Sequence, residues 1–221
     1  MQKIQNGDMD AKNKKNTMKT IGISKTDTIK NISISAVTIQ DMKTVLPYVV
    51  EFRKQLFPML DPQKMPKDLQ DFGQVYLDDQ AGTFLQAKDS TGKLVGVIGM
   101  LAYDYRFPHL DLDSRKTVEV ARLFVNPDYR RSGLGTTLFH RLATVARDSG
   151  VERLYLHTHP FLDGAYEFWL KQGFYLKDFC DEAGFPTIHM ELLVEQINGL
   201  KDSAELKSSN RIKYSDYQSC M

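Results

Sequence analysis

The sequence predicts an α/β domain, a mixed sheet with helices on its faces, in the order β-α-α-β-β-β-α-β-α-β-β. Three observations carry this. Segments with period-two alternation are interleaved with segments of helical periodicity. Two of the helical segments close on glycines, Gly150 and Gly173. Residues 118–136 read as strand, turn and glycine-opened helix in direct succession.

In Ile32, Ile34 and Ala36 apolar residues alternate with polar ones, which predicts the first strand. Asp41 then offers an N-cap, and Val45, Tyr48, Val49 and Phe52 mark one face of a helix ending near Phe57–Pro58. Residues 57–66 hold Pro58, Pro62 and Pro66 and read as a loop, and residues 68–79 as a second, short helix. Residues 83–88 and 93–103 are two strands joined by a hairpin turn at Asp89-Ser90-Thr91-Gly92. A long aromatic-rich loop, 103–115, leads to a strand at 117–125. Residues 133–149 are a helix with Leu134, Leu138, Leu142 and Val145 on one face. A strand at 153–157, a helix at 162–172 and an antiparallel pair at 174–179 and 186–193 complete the order.

At 221 residues the chain is long enough for one domain with extensions, taking about 150 residues per domain. The domain spans residues 32–196; a polar N-terminal arm, 1–31, and a polar C-terminal tail, 197–221, flank it. A net charge of +1 argues against a strongly basic nucleic-acid binder. Two cysteines, Cys180 and Cys220, make no disulfide scaffold and fit a reducing compartment. The longest apolar stretch, Leu94–Tyr103, contains two glycines and is far short of the roughly 18 residues of a membrane span. No apolar signal segment opens the chain. The expectation is a cytoplasmic protein with neither nucleic acid nor membrane among its partners.

The densest signal is Val118–Thr136. Val118 and Val120 share one parity and Leu123 and Val125 the other, so both pairs reach one face only if an extra residue is inserted. A β-bulge near Ala121–Arg122 does this and leaves main-chain groups unpaired at mid-strand; a strand buried on both faces is the competing explanation. Arg130-Arg131-Ser132-Gly133-Leu134-Gly135-Thr136 then opens a helix. Unpaired N–H groups, the positive dipole end, two arginines and glycines that admit close approach make an anion cradle suited to a pyrophosphate. It is neither a Walker loop nor the dinucleotide fingerprint, which need a Lys-Ser/Thr pair and a third glycine respectively.

With Arg122-Leu123-Phe124-Val125-x-Pro127 before it, Arg130-x-x-Gly133-x-Gly135 resembles the acyl-CoA-binding motif of the GNAT superfamily of N-acetyltransferases. Residues 164–174, Gly-Ala-Tyr-Glu-Phe-Trp-Leu-Lys-Gln-Gly-Phe, resemble that family's later helix. The resemblance covers about residues 32–193 and implies a GNAT-like acyltransferase fold. It implies acetyl-CoA as acyl donor, lying between the bulged strand and the next one. Leu123, Phe124 and Val125 would meet the pantetheine arm, and Arg130, Arg131, Ser132, Gly133, Leu134, Gly135 and Thr136 the pyrophosphate. Trp169 is expected to flank the cofactor or the core. A small-molecule or peptide amine would attack the thioester directly, and a homodimer is an assembly the fold permits.

Direct attack needs a base for the ammonium and a donor for the departing thiolate. Glu119, on the bulged strand, is the first choice for base; otherwise it is a solvated carboxylate or the partner of Arg122. The resemblance places a tyrosine acid where this chain has Trp169, whose indole cannot supply a proton. Tyr166, three residues earlier on the same helical face, either takes that role or packs. His157 and His159 either line the amine pocket or pack, and as a two-residue pair without a third ligand they predict no metal site. Cys180 reads as a small hydrophobe. The loops 57–67, 103–115 and 180–184 carry Asp104, Asp111, Asp113, Asp181 and Glu182 beside Tyr103, Tyr105 and Phe107. They suit a cationic amine, or are simply solvated. The expected activity is an acetyl-CoA-dependent N-acetyltransferase. The alternatives are a non-catalytic acyl-CoA sensor that binds a partner protein, motivated by Trp169, and a different phosphate ligand in the same cradle.

Overall fold

In the computed structural model, residues 31–197 are described. Apart from residues 31 and 197, the N-terminal arm and C-terminal tail that the sequence sets apart lie outside them. Seven strands form one sheet in the order β1-β2-β3-β4-β5-β7-β6. They are β1 (Ser33–Ala36), β2 (Thr83–Lys88), β3 (Leu94–Ala102), β4 (Thr117–Val125), β5 (Arg153–Thr158), β6 (Tyr175–Glu182) and β7 (Phe185–Leu193). The helices are α1 (Met42–Leu56), α2 (Lys67–Gln70), α3 (Leu134–Asp148), α4 (Ala165–Lys171) and α5 (Val194–Ile197). Single 3₁₀ turns lie at Pro108–Leu110 and Pro127–Tyr129.

The sheet separates two apolar layers. On one face Val45, Val49 and Phe52 of α1 pack with Phe72, Tyr76, Phe84 and Phe124. On the other, Leu134, Leu138 and Leu142 of α3 pack with Val118, Val120, Leu154 and Trp169. The apolar stripe that α3 shows in sequence is the stripe it buries.

Several boundaries differ from expectation, each for a local reason. Asp41 occupies the N-cap position of α1 but makes no capping bond. Its carboxylate instead accepts from Thr38 N–H and O–H, at 3.0 and 2.7 Å, and from Lys88 at 2.9 Å. The single helix expected at 68–79 is two pieces, α2 and a π-helical turn at Gly73–Asp78. The helix expected from 162 begins at Ala165, because Gly164 at its N-cap is left-handed (φ 72°). The final strands run to Glu182 and from Phe185, so the loop expected at 180–184 shrinks to Ala183-Gly184. These two residues have φ of 53° and 89°, the paired positive values of a tight hairpin turn.

Strand β4 does contain the bulge. Gly99 pairs with Ala121 and Val97 with Phe124, so Ile98 faces two residues, Arg122 and Leu123. Arg122 has φ 58°. Val118 and Val120 before the bulge, and Leu123 and Val125 after it, all pack toward α3, while Phe124 stacks on Phe52 across the sheet at 5.5 Å. The extra residue thus reconciles the two parities.

The parallel pair β4–β5 is short. Thr117, Val118 and Glu119 pair with Arg153, Leu154 and Tyr155, and no pair follows, although β4 continues to Val125 and β5 to Thr158. Beyond Glu119 and Tyr155 the two central strands part, beside the bulge.

Candidate active site

Helix α3 begins beside the outer end of this parting. Asn126 accepts a bond from Asp128 N–H at 3.0 Å, which sets the turn after β4. Arg131 (φ 60°) and Gly133 (φ 95°) are both left-handed, and Ser132 O–H donates to Tyr129 O at 2.6 Å. The first bond of the helix runs from Thr137 N–H to Gly133 O at 2.9 Å, so the amides of Leu134, Gly135 and Thr136 precede the hydrogen-bonded ladder. Arg130 does not stand free beside them: its Nε donates to Val125 O at 3.1 Å and ties the turn to the strand end. A Cβ on Gly135 would meet nothing closer than Phe168, at 3.4 Å, so packing alone does not demand the glycine there.

Glu119 is buried, its side chain 5 % exposed, at the last pair before the strands part. Its Oε1 is 2.7 Å from Arg106 Nη2 and 3.0 Å from His157 Nδ1. Burial alone would raise this carboxyl, but the hydrogen bonds and charges of His157 and Arg106 outweigh it and hold the group below its ordinary value. The expected partner, Arg122, is elsewhere. It donates from Nε and Nη2 to both oxygens of Asp68, at 3.0 and 2.7 Å.

His157 sits on β5 two residues beyond Tyr155, where β4 no longer accompanies the strand. It lines an open cleft of about 150 Å³ with Phe57, Leu60, Phe107, His159 and Phe185 among its walls. Glu182 and Thr187 supply further polar groups. His159 donates from Nδ1 to Pro186 O at 3.0 Å, since a carbonyl can only accept, and stacks on Phe161 at 5.0 Å. Burial holds its imidazole below the ordinary histidine value, and its ring forms an aromatic wall of the cleft.

All three loops anticipated from sequence reach this region, but most of their carboxylates are engaged elsewhere. Asp104 pairs with Arg106 at 2.8 Å, Asp113 with Arg115 and Arg153 at 3.0 Å each, and Asp181 accepts from Gly184 N–H at 2.6 Å. Tyr103 is buried against Tyr155. Phe107 carries the Arg106 guanidinium over its ring, at 4.7 Å. The acidic lining expected of the cleft reduces to Glu182.

Trp169 is 7 % exposed and packs edge-on against Phe139, Phe168 and Phe174. Tyr166, on the same helix, is partly buried against the same core. Cys180 is not an isolated hydrophobe: its Sγ lies 3.3–3.4 Å from Glu182 Oε1, His109 Nε2 and His189 Nε2. Arg106, Asp68 and His109 carried no local signal in the sequence, because their partners are 13, 54 and 71 residues away.

A sheet parted at its centre, with a glycine-opened helix beside the parting, is the frame expected of an acyl-CoA-dependent acyltransferase. Residues 46–174 match the profile of the Acetyltransferase (GNAT) family, and the chain belongs to that family. The human protein N-acetyltransferase 8 is 30% identical over 107 residues, a match of 48% of this chain and 44% of that protein. The chain thus covers less than half of that relative. A GNAT-family acetyltransferase from Staphylococcus aureus Mu50 superposes with a TM-score of 0.59 at 18% identity, over 74% of this chain and 99% of that one. Spermidine N-acetyltransferase from Vibrio cholerae, in complex with CoA and spermine, gives 0.56 at 14% identity, over 76% and 99%. At such identities these two share the fold. Among the described residues no helix is long and apolar enough to cross a membrane.

Proposed function

We propose that the protein transfers an acetyl group from acetyl-CoA to a primary amine seated in the aromatic cleft, with His157 as base and Glu119 as the carboxylate that orients it. The observation that carries this is the 3.0 Å approach of His157 Nδ1 to buried Glu119, at the point where β4 and β5 part. The contact is at ion-pair distance and not aligned as a hydrogen bond; a carboxylate so placed favours the tautomer protonated at Nδ1, with Nε2 as acceptor. Glu119 itself is a poor direct base, because the Arg106 guanidinium bonded to it holds its carboxyl below the ordinary value and so weakens it as a proton acceptor.

The proton route follows. The substrate ammonium gives a proton to His157 Nε2. The freed amine nitrogen attacks the thioester carbonyl, whose oxygen takes up negative charge. A main-chain N–H freed by the bulge near Leu123 is the donor assigned to that oxygen. The carbon–sulfur bond then breaks, the nitrogen passes its second proton to solvent so that the neutral amide remains, and the thiolate takes a proton from the Tyr166 hydroxyl. Tyr166 regains its proton from solvent, and His157 releases its own.

The amides of Leu134, Gly135 and Thr136, with Arg131 and Ser132, are assigned to the pyrophosphate, and the main chain of Leu123, Phe124 and Val125 to the pantetheine arm. Arg130 acts through the turn it fastens. Trp169 supports α4 from the core.

Phe57, Leu60, Phe107 and Phe185 favour an amine carried on an apolar or aromatic body over a polycation, and among the described residues Glu182 is the carboxylate at the wall. A thiol-release assay with acetyl-CoA and paired panels of aromatic and polycationic amines tests this. Faster turnover of the aromatic set is expected. Acetyl-CoA binding without turnover on either panel would return the sensor reading.

A further inference from the structure

Beside the cleft, four side chains converge from three separate elements. His109 comes from the 3₁₀ turn in the β3–β4 loop, Cys180 and Glu182 from β6, and His189 from β7. Cys180 Sγ is 3.4 Å from His109 Nε2, 3.3 Å from Glu182 Oε1 and 3.4 Å from His189 Nε2. Glu182 Oε1 is in turn 3.5 Å from His109 Nε2 and 3.6 Å from His189 Nε2. The sixth separation, between the two Nε2 atoms, is within 4.8 Å. Ligands at about 2.0–2.3 Å around a tetrahedral zinc ion stand about 3.3–3.8 Å apart. Five of the six separations fall in that window.

We propose that His109 Nε2, Cys180 Sγ, Glu182 Oε1 and His189 Nε2 form a four-coordinate zinc site that clips the β3–β4 loop onto the β6–β7 hairpin. The donor set suits the ion. One thiolate and one carboxylate supply two negative charges to a divalent cation, and two neutral imidazoles complete a closed, structural coordination. Sulfur and imidazole together select against calcium and magnesium, which take oxygen ligands.

The surroundings prepare the site. His189 is fully buried, and its Nδ1 lies 2.7 Å from the Tyr155 hydroxyl, which orients the ring with Nε2 toward the other ligands. Asp178 Oδ2 stands 3.6 Å from His109 Nε2 and adds an outer carboxylate. When zinc binds, the thiol proton leaves to solvent and the sulfur–zinc bond forms, with no redox change.

The consequence is local. Phe107 precedes the ligand His109 by two residues, and Glu182 is a ligand; both line the acceptor cleft. Zinc would fix two walls of the cleft while leaving the β4–β5 parting untouched.

The full-length protein, stripped of metal by a chelator, is titrated with Co²⁺ and followed by absorbance. The expected result is one equivalent bound, with intense tetrahedral d–d bands and a thiolate-to-cobalt charge-transfer band, both displaced by Zn²⁺. In Cys180→Ser the charge-transfer band disappears. Zinc affinity, read by competition with a chromophoric chelator, falls by more than the roughly 100-fold that losing an outer-sphere partner costs. The weak spectrum of hydrated cobalt on the wild-type protein would overturn the proposal, as would an unchanged spectrum in a folded Cys180→Ser. The wild-type titration decides by itself if the variant does not fold.

Discussion

Asp68 grips Arg122 with both carboxylate oxygens, at 2.7 and 3.0 Å, and Arg122 is the bulge residue whose backbone is left-handed. The Tyr76 hydroxyl donates to the same carboxylate at 2.8 Å. A non-glycine residue at positive φ costs roughly 1–2 kcal/mol and persists only where its surroundings hold it. Here α2 and the π-helical turn supply that hold. The bulge that frees the main chain beside the parting is therefore fastened from outside the sheet.

Breaking the grip should cost stability. Asp68→Ala leaves a guanidinium in a largely buried site without its partner, a loss of about 3–5 kcal/mol by denaturant unfolding. The pH dependence follows from the carboxyl. Burial would raise Asp68, but the Arg122 hydrogen bonds and charge prevail and hold it below 3.8. A depressed folded value contributes stability that is complete above 3.8 and fades as pH falls through the lower folded value. Asp68→Asn should lose that acid-side decline, and an identical decline in both proteins would remove Asp68 as its source.

Turnover should separate base from orienting group. His157→Gln should lower kcat by about 10²–10⁴-fold, the range for removing a general base. Glu119→Gln should give a smaller loss of kcat, because the imidazole stays in place but loses the carboxylate that orients it. A kcat unchanged in Glu119→Gln would detach the two residues.

The two glycines at the start of α3 should behave differently. Gly133 is held at φ 95°, so Gly133→Ala should destabilise the fold by roughly 1–2 kcal/mol. A Cβ on Gly135 meets Phe168 at 3.4 Å, close to ordinary contact. Gly135→Ala should leave the unfolding midpoint within about 0.5 kcal/mol of wild type and raise KM for acetyl-CoA instead. Unchanged KM with lost stability would mean that the glycine serves packing.

Truncating a wall of the cleft should report on the acceptor. Phe57, edge-on to His159 at 5.7 Å and to Phe161 at 5.6 Å, presents its ring to the cleft. Phe57→Ala should raise KM for aromatic amines about tenfold or more while leaving acetyl-CoA KM unaltered. Parallel rises in both constants would place Phe57 outside the acceptor site.

The sequence alone determined the element order, the apolar stripe of α3, the hairpin at 89–92 and the glycine-opened helix, and it offered the bulge as one of two explanations of the parity switch. Each is written in residues at most a few turns apart, where periodicity, parity and backbone freedom act directly. It also placed Glu119 and drew attention to His157. Only the tertiary structure decided what those groups touch. Glu119 meets His157 because β4 and β5 lie parallel and then diverge, and it meets Arg106 because a long loop folds back over the strand. Arg122 finds Asp68, and His109 finds Cys180, across 54 and 71 residues. Such pairings depend on the order of strands in the sheet and on the paths of the loops. Local propensity encodes neither, because the energy that selects a partner appears only when distant segments are packed together.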